Sequence, residues 1–288
     1  GGGGHLAPLW MAALWANFQL ALAAWDRISH LLSFENNLKV IDDRSNGRNA
    51  SYLHFSDVSF SYPNGKEVLH NVSFDLRKGR TYAFVGPTGG GKTTTASLIA
   101  RLYDATKGTI LLDGRDIRSY TPCERASKIG FILQEPVLFS GTVRDNIMYG
   151  NPECAGFSND QLEHSLEDLQ LAGLLKRFDK GLDTPIQTSG DGISLGQKQI
   201  IAFMRAILRK PELLILDEAT ANIDTVTEQQ LESIIKRLPE ATIKVIIAHR
   251  LNTIENADEI FFVNSGEIIA AGSFDEALDL LMHGKIES

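Results

Sequence analysis

The sequence predicts an α/β fold with a small antiparallel sheet added, and three observations carry that prediction. Residues 86–94, Gly86-Pro87-Thr88-Gly89-Gly90-Gly91-Lys92-Thr93-Thr94, match G-x-x-x-x-G-K-[ST]. They lie between an apolar strand-like run, Thr81 to Val85, and a run with helical spacing, Thr94 to Leu102. Two further runs, Leu213 to Leu216 and Val245 to Ala248, are apolar without interruption, as expected of parallel strands buried on both faces. Finally, Leu53, Phe55, Val58 and Phe60, then Val68, Val72, Phe74 and Leu76, recur with a period near two around the turn Pro63-Asn64-Gly65. That pattern predicts antiparallel strands ahead of the glycine loop.

Taken in order, the chain begins with Gly1 to Gly4, which read as a flexible lead. Leu6 to Leu32 has apolar residues at three- and four-residue spacing and predicts a helix. From Pro8 to Trp25 it carries no charge, and it holds all three tryptophans, Trp10, Trp15 and Trp25. Such a stretch fits the end of a bilayer-crossing segment, and it fits an amphipathic core or dimer helix equally well. Residues 35–50 are polar and read as a linker. Tyr62, beside the turn, could stack on a purine; an ordinary strand-end tyrosine is the competing reading.

In the glycine loop, backbone amides can close around phosphate oxygens at a helix N-terminus that favours an anion. Lys92 would reach the β/γ-phosphates and Thr93 would offer its hydroxyl to Mg²⁺. Gly108 to Gly114 and Ile129 to Leu133 read as strands. Gln134 follows the second, at the edge that faces a nucleotide crevice in an open α/β sheet. Residues 158–180 read as helical, opened by a Ser158-x-x-Gln161 capping box. The stretch Ser189 to Gln197 leads into a helix over Lys198 to Leu208 and makes a second anion-binding helix start. The strand ending at Asp217-Glu218 delivers two carboxylates, Asp217 to hold Mg²⁺ through water and Glu218 to polarise the attacking water. His249 ends the next strand on the same edge. A helix over Asp224 to Leu238, strands over Glu259 to Val263 and Ile268 to Ala271, and a helix over Phe274 to Met282 complete the layer.

Composition narrows the function classes. With 28 basic against 36 acidic residues the net charge is −8, which disfavours a nucleic-acid surface. The two cysteines, Cys123 and Cys154, match no metal spacing and no disulfide framework, and they suit a reducing compartment. The start lacks a basic n-region and a cleavage site, so no signal peptide is expected.

With Lys92, Gln134, the Ser194 loop, Asp217-Glu218 and His249 in this order, the chain resembles the nucleotide-binding domain of an ATP-binding cassette (ABC) transporter. More narrowly, it is similar to the ATPase end of a type I, B-subfamily-like exporter. The resemblance covers Tyr52 to the C-terminus. It implies a P-loop NTPase fold of the ABC type: a mixed core sheet, an N-terminal antiparallel β subdomain and a helical subdomain over about 141–208. The implied organisation is a membrane-domain helix over 1–34, a linker over 35–50 and the nucleotide-binding domain over 51–288. Gly86 to Thr93 resembles the Walker A loop, so that Gly86, Thr88, Gly89, Gly90, Gly91, Lys92, Thr93 and Thr94 become candidate ATP contacts. Tyr62 matches the adenine-stacking aromatic and Gln134 the Q-loop residue. Ile193 to Gln197 matches the signature motif, with Ser194, Gly196 and Gln197 as its ATP contacts. Leu213 to Asp217 matches Walker B with Glu218 as catalytic base, Ala221 to Asp224 the D-loop, and His249 the switch histidine. Leu138 to Ile147 is similar to the exporter form of the segment after the Q-loop. Thr93, Gln134 and Asp217 are the implied Mg²⁺ ligands.

The resemblance further implies that two such domains pair head to tail around two ATP and drive attached transmembrane domains on the cytoplasmic face of a cell or organelle membrane. Two departures stand out. Leu195 occupies a signature position where the family carries glycine, which would allow close phosphate approach or φ > 0. Thr188 and Ser189 replace an exporter Glu-Arg pair. Both a homodimer and one half of a heterodimer fit this pattern. A soluble ABC ATPase not linked to transport, and a nucleotide switch with little hydrolysis, are the alternatives. The apolar N-terminal helix and the acidic balance speak against the first, and Glu218 with His249 against the second.

Overall fold

The computed structural model describes residues 38–41, 51–63, 65–187, 192–217, 223–247, 257–271 and 276. The chain divides into two units, Gly1–Lys39 and Val40–Ser288, and every element below belongs to the second. The helix expected over 6–32, all of the 35–50 linker but residues 38–41, and all but Glu276 of the helix expected over 274–282 lie outside the described residues. No helix among the described residues is long and apolar enough to cross a membrane.

Near-alternating apolar residues build the first sheet. β1 (Leu53–Ser61) and β2 (Glu67–Leu76) pair antiparallel, with Phe55 opposite Phe74 and Val58 opposite Val72. β4 (Lys107–Leu112) pairs with the other edge of β1, and β5 (Arg115–Asp116) closes the sheet in the order β2-β1-β4-β5. The strand expected over 108–114 therefore joins the antiparallel sheet, a placement its apolar pattern did not specify.

Continuous apolar runs build the second sheet. It comprises β3 (Thr81–Val85), β6 (Ile129–Ile132), β9 (Leu213–Asp217), β10 (Ile243–Ile247), β11 (Glu259–Asn264) and β12 (Glu267–Ala271), in the order β12-β11-β3-β10-β9-β6. All five residues of β9 are buried, because helices and the other sheet cover both of its faces. Neighbours from β11 to β6 run parallel, and only β12 is antiparallel. In register, Ile247 lies opposite both Phe84 and Asp217, and Ile132 opposite Leu216. The C-terminal ends of β3, β10, β9 and β6 thus share one edge.

Between the sheets lies a core with Phe74 at its centre. Phe74 stacks on Phe55 at 4.4 Å and meets Phe84 at 5.6 Å and Phe261 at 5.2 Å. Aromatic pairs of this kind contribute about 0.5–1.5 kcal/mol each beyond the area they bury. α1 (Lys92–Ile99) packs into the same core through Ala96, Leu98 and Ile99.

A second core collects the helical part. α2 (Pro122–Lys128) precedes β6; α3 (Val143–Met148), α4 (Asn159–Asp168), α5 (Leu195–Leu208) and α6 (Thr225–Lys236) follow it, with the short strands β7 (Gly141–Thr142) and β8 (Pro185–Ile186) paired between them. Ile147, Leu162, Leu166, Leu174, Ile201 and Phe203 are buried together here. α4 starts at the predicted capping box: the Ser158 hydroxyl accepts from the Gln161 amide, and the Gln161 carboxamide accepts from the Ser158 amide. The helical run expected to reach residue 180 breaks after Asp168, where Gln170 adopts φ 59, and resumes as a 3₁₀ turn over Ala172–Arg177.

At the opposite edge of the second sheet, Glu212 ties the strand starts together. Its carboxylate accepts from Lys78 Nζ at 2.7 Å, just before β3, and from Lys128 Nζ at 2.8 Å, just before β6. Lys128 also reaches Asp113 at 3.3 Å, and the Lys78 ammonium sits 4.8 Å from the centre of the Tyr52 ring. Burial, and the Glu212 charge after it, push the Tyr52 phenol well above its usual range.

Candidate functional site

The glycine loop joins the end of β3 to α1. The β11 backbone requires glycine at two of its positions, Gly86 and Gly90, and a Leu69 methyl crowds a third. A Cβ on Gly86 would fall 2.0 Å from the Val263 carbonyl oxygen in β11, one on Gly90 2.7 Å from the same atom, and one on Gly91 2.8 Å from a Leu69 methyl. Gly89 differs: its Cβ would meet nothing within 4 Å, and only its φ of +80 calls for glycine. The loop is held from outside as well, since Gly266 donates its amide to the Gly90 carbonyl at 3.1 Å. Sequence reasoning gave these glycines to the approach of phosphate alone; the close backing by β11 left no signal in the motif.

Lys92 is buried, and its ammonium donates to the Gly86 and Pro87 carbonyls at 2.8 and 3.0 Å. Its charge is thereby held over the loop at the start of α1, where the helix dipole adds to it. Thr88, Gly89 and Thr93 are exposed on the loop's open side, whereas Thr94 is buried. The Thr94 hydroxyl lies 3.1 Å from the Tyr62 hydroxyl, so the half-buried Tyr62 ring is tied to the loop helix. Oxygen donors of the kind that suit Mg²⁺ are present: the Thr93 hydroxyl, and the Asp217 carboxylate, buried at the end of β9.

Gln134 lies two residues beyond β6 and is exposed. Its carbonyl accepts from Nε2 of Gln199, a residue fully buried on α5. The segment that follows is tied to α5 by Arg205, which donates to the carbonyls of Val137 and Asn146 and lies 6.0 Å from the Phe139 ring centre. Burial, then the charge of Arg209, lowers the Arg205 guanidinium to about 10.

Ser194 and Gln197 form a reciprocal capping box at the start of α5: the serine hydroxyl accepts from the Gln197 amide, and the Gln197 carboxamide accepts from the Ser194 amide at 2.8 Å. The S-x-x-Q spacing is legible in the sequence as such a box, but the segment reads there as an anion-binding helix start and, by resemblance, as the signature motif. Gln197 Nε2 also donates to the Arg177 carbonyl at 2.7 Å, which leaves its carboxamide one donor hydrogen besides. Leu195 and Gly196 are ordinary helical residues with negative φ. Leucine at 195 thus meets no backbone strain, and of the two reasons for expecting glycine there only close approach remains. α5 packs on β6, with two strands between β6 and β3, so Ser194 does not share the position of the loop on the sheet.

Asp224 caps α6, accepting from the Thr227 amide at 3.1 Å and hydroxyl at 2.8 Å. The Thr227 hydrogen bonds, with a smaller contribution from Arg177 at 3.2 Å, hold its carboxyl below the usual range. Arg177, which sequence reasoning missed, therefore touches both the Gln197 and the Asp224 helix starts. Glu218, His249, Thr188, Ser189, Ala221 and Asn222 lie outside the described residues. Among those described, no cluster of three or more His, Cys, Asp or Glu side chains could hold a metal ion.

Comparison with known proteins shows the family. The profile of the ABC transporter family matches residues 69–221. A Bacillus subtilis relative described as the uncharacterized ABC transporter ATP-binding protein YfiC is 46% identical over 226 residues, covering 78% of this chain and 37% of its own length. The ATP-dependent lipid A-core flippase of Salmonella typhimurium is 39% identical over 268 residues, covering 91% and 45% respectively. A solved bacterial Atm1-family ABC exporter with ATP bound superposes with a TM-score of 0.77 at 31% identity, covering 96% of this chain and 47% of that one. The chain spans less than half the length of each of these relatives.

Proposed function

We propose, from the premise that this chain belongs to the ABC transporter family, that it is the ATP-binding and ATP-hydrolysing part of a membrane exporter. The observation that carries this is the tie between Tyr62 and the loop helix through Thr94, which joins a base-stacking ring to the Lys92 phosphate loop in one site. Tyr62 stacks on the adenine, and the loop amides with Lys92 neutralise the phosphate oxygens. Thr93, Asp217 and Gln134 supply oxygen ligands for Mg²⁺, which when bound neutralises charge on the phosphates. Glu218, next in the chain after Asp217, accepts a proton from the attacking water, with His249 and Gln134 beside the reacting phosphate.

One copy does not complete the site on this reading. Ser194, Gly196, Gln197 and Asp224 serve the nucleotide held by a second nucleotide-binding domain, and that domain's equivalents serve this one. The separation of α5 from β3 on the sheet supports this division of labour. Residues 1–34 are the end of a membrane domain and 35–50 a linker. The exposed apolar Val137, Phe139 and Tyr149 beside Gln134 offer a surface for such a domain on the cytoplasmic face of the membrane.

The test is steady-state ATPase rate against protein concentration, for this chain and for Glu218→Gln, with gel filtration in ATP. A rate per molecule that rises with concentration, with Glu218→Gln inactive and dimeric in ATP, is expected of a self-pairing domain. ATP binding without pairing would assign the second half to a different chain. Undiminished turnover in Glu218→Gln would overturn the proposed chemistry.

A further inference from the structure

The turn that ends α1 holds a long side chain at a position where glycine is usual. Arg101 adopts φ 49, a left-handed conformation usually left to glycine. The turn is a full Schellman motif: the Leu102 amide donates to the Ser97 carbonyl at 2.8 Å and the Arg101 amide to the Leu98 carbonyl at 3.0 Å. Arginine is tolerated because its buried guanidinium has somewhere to go. It donates to Asp104 Oδ1 at 2.8 Å and to the Arg118 carbonyl at 3.0 Å. Five residues on, the same segment is fixed again. The Thr106 amide donates to the Ser59 carbonyl at 2.9 Å, and its hydroxyl accepts from the Ser61 amide at 3.1 Å. The segment 101–106 is thus pinned at both ends, and between the pins it presents Leu102 and Tyr103.

Tyr103 keeps 38% of its surface exposed and meets Tyr62 at 5.1 Å with ring planes at 88°. Phe60 meets Tyr62 at 4.9 Å and 81°, and Tyr103 in turn touches Phe60 at 5.5 Å. Two nearly perpendicular rings, with the hydroxyl held by Thr94, fix both the tilt and the depth of the Tyr62 ring. We infer that Tyr103 is a positioning residue for base recognition: the strained Arg101 turn delivers it to hold the Tyr62 ring in the plane a purine must meet. The inference rests on the reading of Tyr62 as the base-stacking residue. Tyr103 touches no phosphate-loop residue in these contacts, so its effect falls on the base and not on the triphosphate.

The experiment titrates the full chain calorimetrically, in EDTA to prevent turnover, with ATP and separately with inorganic triphosphate. In Tyr103→Ala the affinity for ATP should fall about three- to tenfold, the strength of one aromatic pair, while that for triphosphate stays within about twofold. Tyr103→Phe, which keeps the ring, should restore ATP affinity to within about twofold. Equal loss for both ligands, or none for either, would overturn the positioning role while ATP binding by the unsubstituted chain upholds the site. An unsubstituted chain that binds ATP no better than triphosphate would overturn the Tyr62 reading and this inference with it.

Discussion

Alanine at Gly86 and alanine at Gly89 make a matched pair, because both glycines lie in one loop and both have φ in the left-handed half of the map, +142 and +80. At Gly89 the added methyl enters open space, so the cost is conformational alone, about 1–2 kcal/mol. At Gly86 the methyl carbon would stand 2.0 Å from the Val263 carbonyl oxygen and 3.0 Å from its carbon. The contacting atoms belong to backbone in a paired strand, Val263 lying opposite Ile268, so no rotamer change relieves the overlap. The loop and β11 must part by about 1 Å, which adds roughly 1–3 kcal/mol of overpacking to a conformational cost of about 1–3 kcal/mol. Gly86→Ala should therefore lose about 2–6 kcal/mol, about 1–3 more than Gly89→Ala, the difference being the overpacking. Urea unfolding of the full chain, followed by far-UV circular dichroism with the slope compared between variants, reads the difference. Equal midpoints for the two variants would refute the idea that β11 dictates glycine at 86, and would return that residue to phosphate approach alone.

Three further outcomes are expected. Leu195→Gly should lower stability by about 1 kcal/mol, the price of glycine in a helix, yet raise the concentration-dependent ATPase rate severalfold if the leucine side chain hinders a paired domain; an unchanged rate would clear Leu195 of that role. Hydrogen bonds from Lys128 and Lys78 hold the Glu212 carboxyl below its usual range against the opposing effect of burial. A depressed carboxyl stabilises above its unfolded pKa and loses that contribution as pH falls through the folded one, so Glu212→Gln should melt below the unsubstituted chain at pH 7 and approach it below about pH 4. Cys123 is exposed, while Cys154 is buried with its thiol pushed up by desolvation; maleimide should modify one thiol in the native chain and two in denaturant, and rapid native labelling of both would contradict the packing around Cys154.

Much of this molecule was legible because its motifs depend on local chemistry. The loop around Lys92, the Ser158 cap and the unbroken run into Asp217 each follow from short-range rules, and each lies where those rules put it. What the sequence withheld was long-range partnership. Gly108 to Gly114 read as a strand, but nothing in its letters chose β1 over the parallel sheet. The Val263 carbonyl behind Gly86 and Gly90 lies 177 and 173 residues from them, the Gln199 amide on Gln134 lies 65 residues away, and Arg177 reaches helix starts 20 and 47 residues on. Leu195 illustrates the opposite case: a local rule about glycine raised an expectation of strain, and the helical backbone at that position removes it.

The knot of charge around Glu212 gives the parallel sheet a fulcrum. Lys78, Lys128 and Glu212 gather the starts of β3, β6 and β9, while the Lys92 loop and Gln134 follow the far ends of β3 and β6 and Asp217 ends β9. β9 is five residues long, a lever of about 16 Å at the usual rise of a strand. A rotation of about 5° about its pinned end would carry Asp217 through roughly 1.4 Å, about half the length of a hydrogen bond. Small tilts of these strands about a fixed base would thus be magnified at the edge where their carboxylate and loop lie, with no hinge residue required.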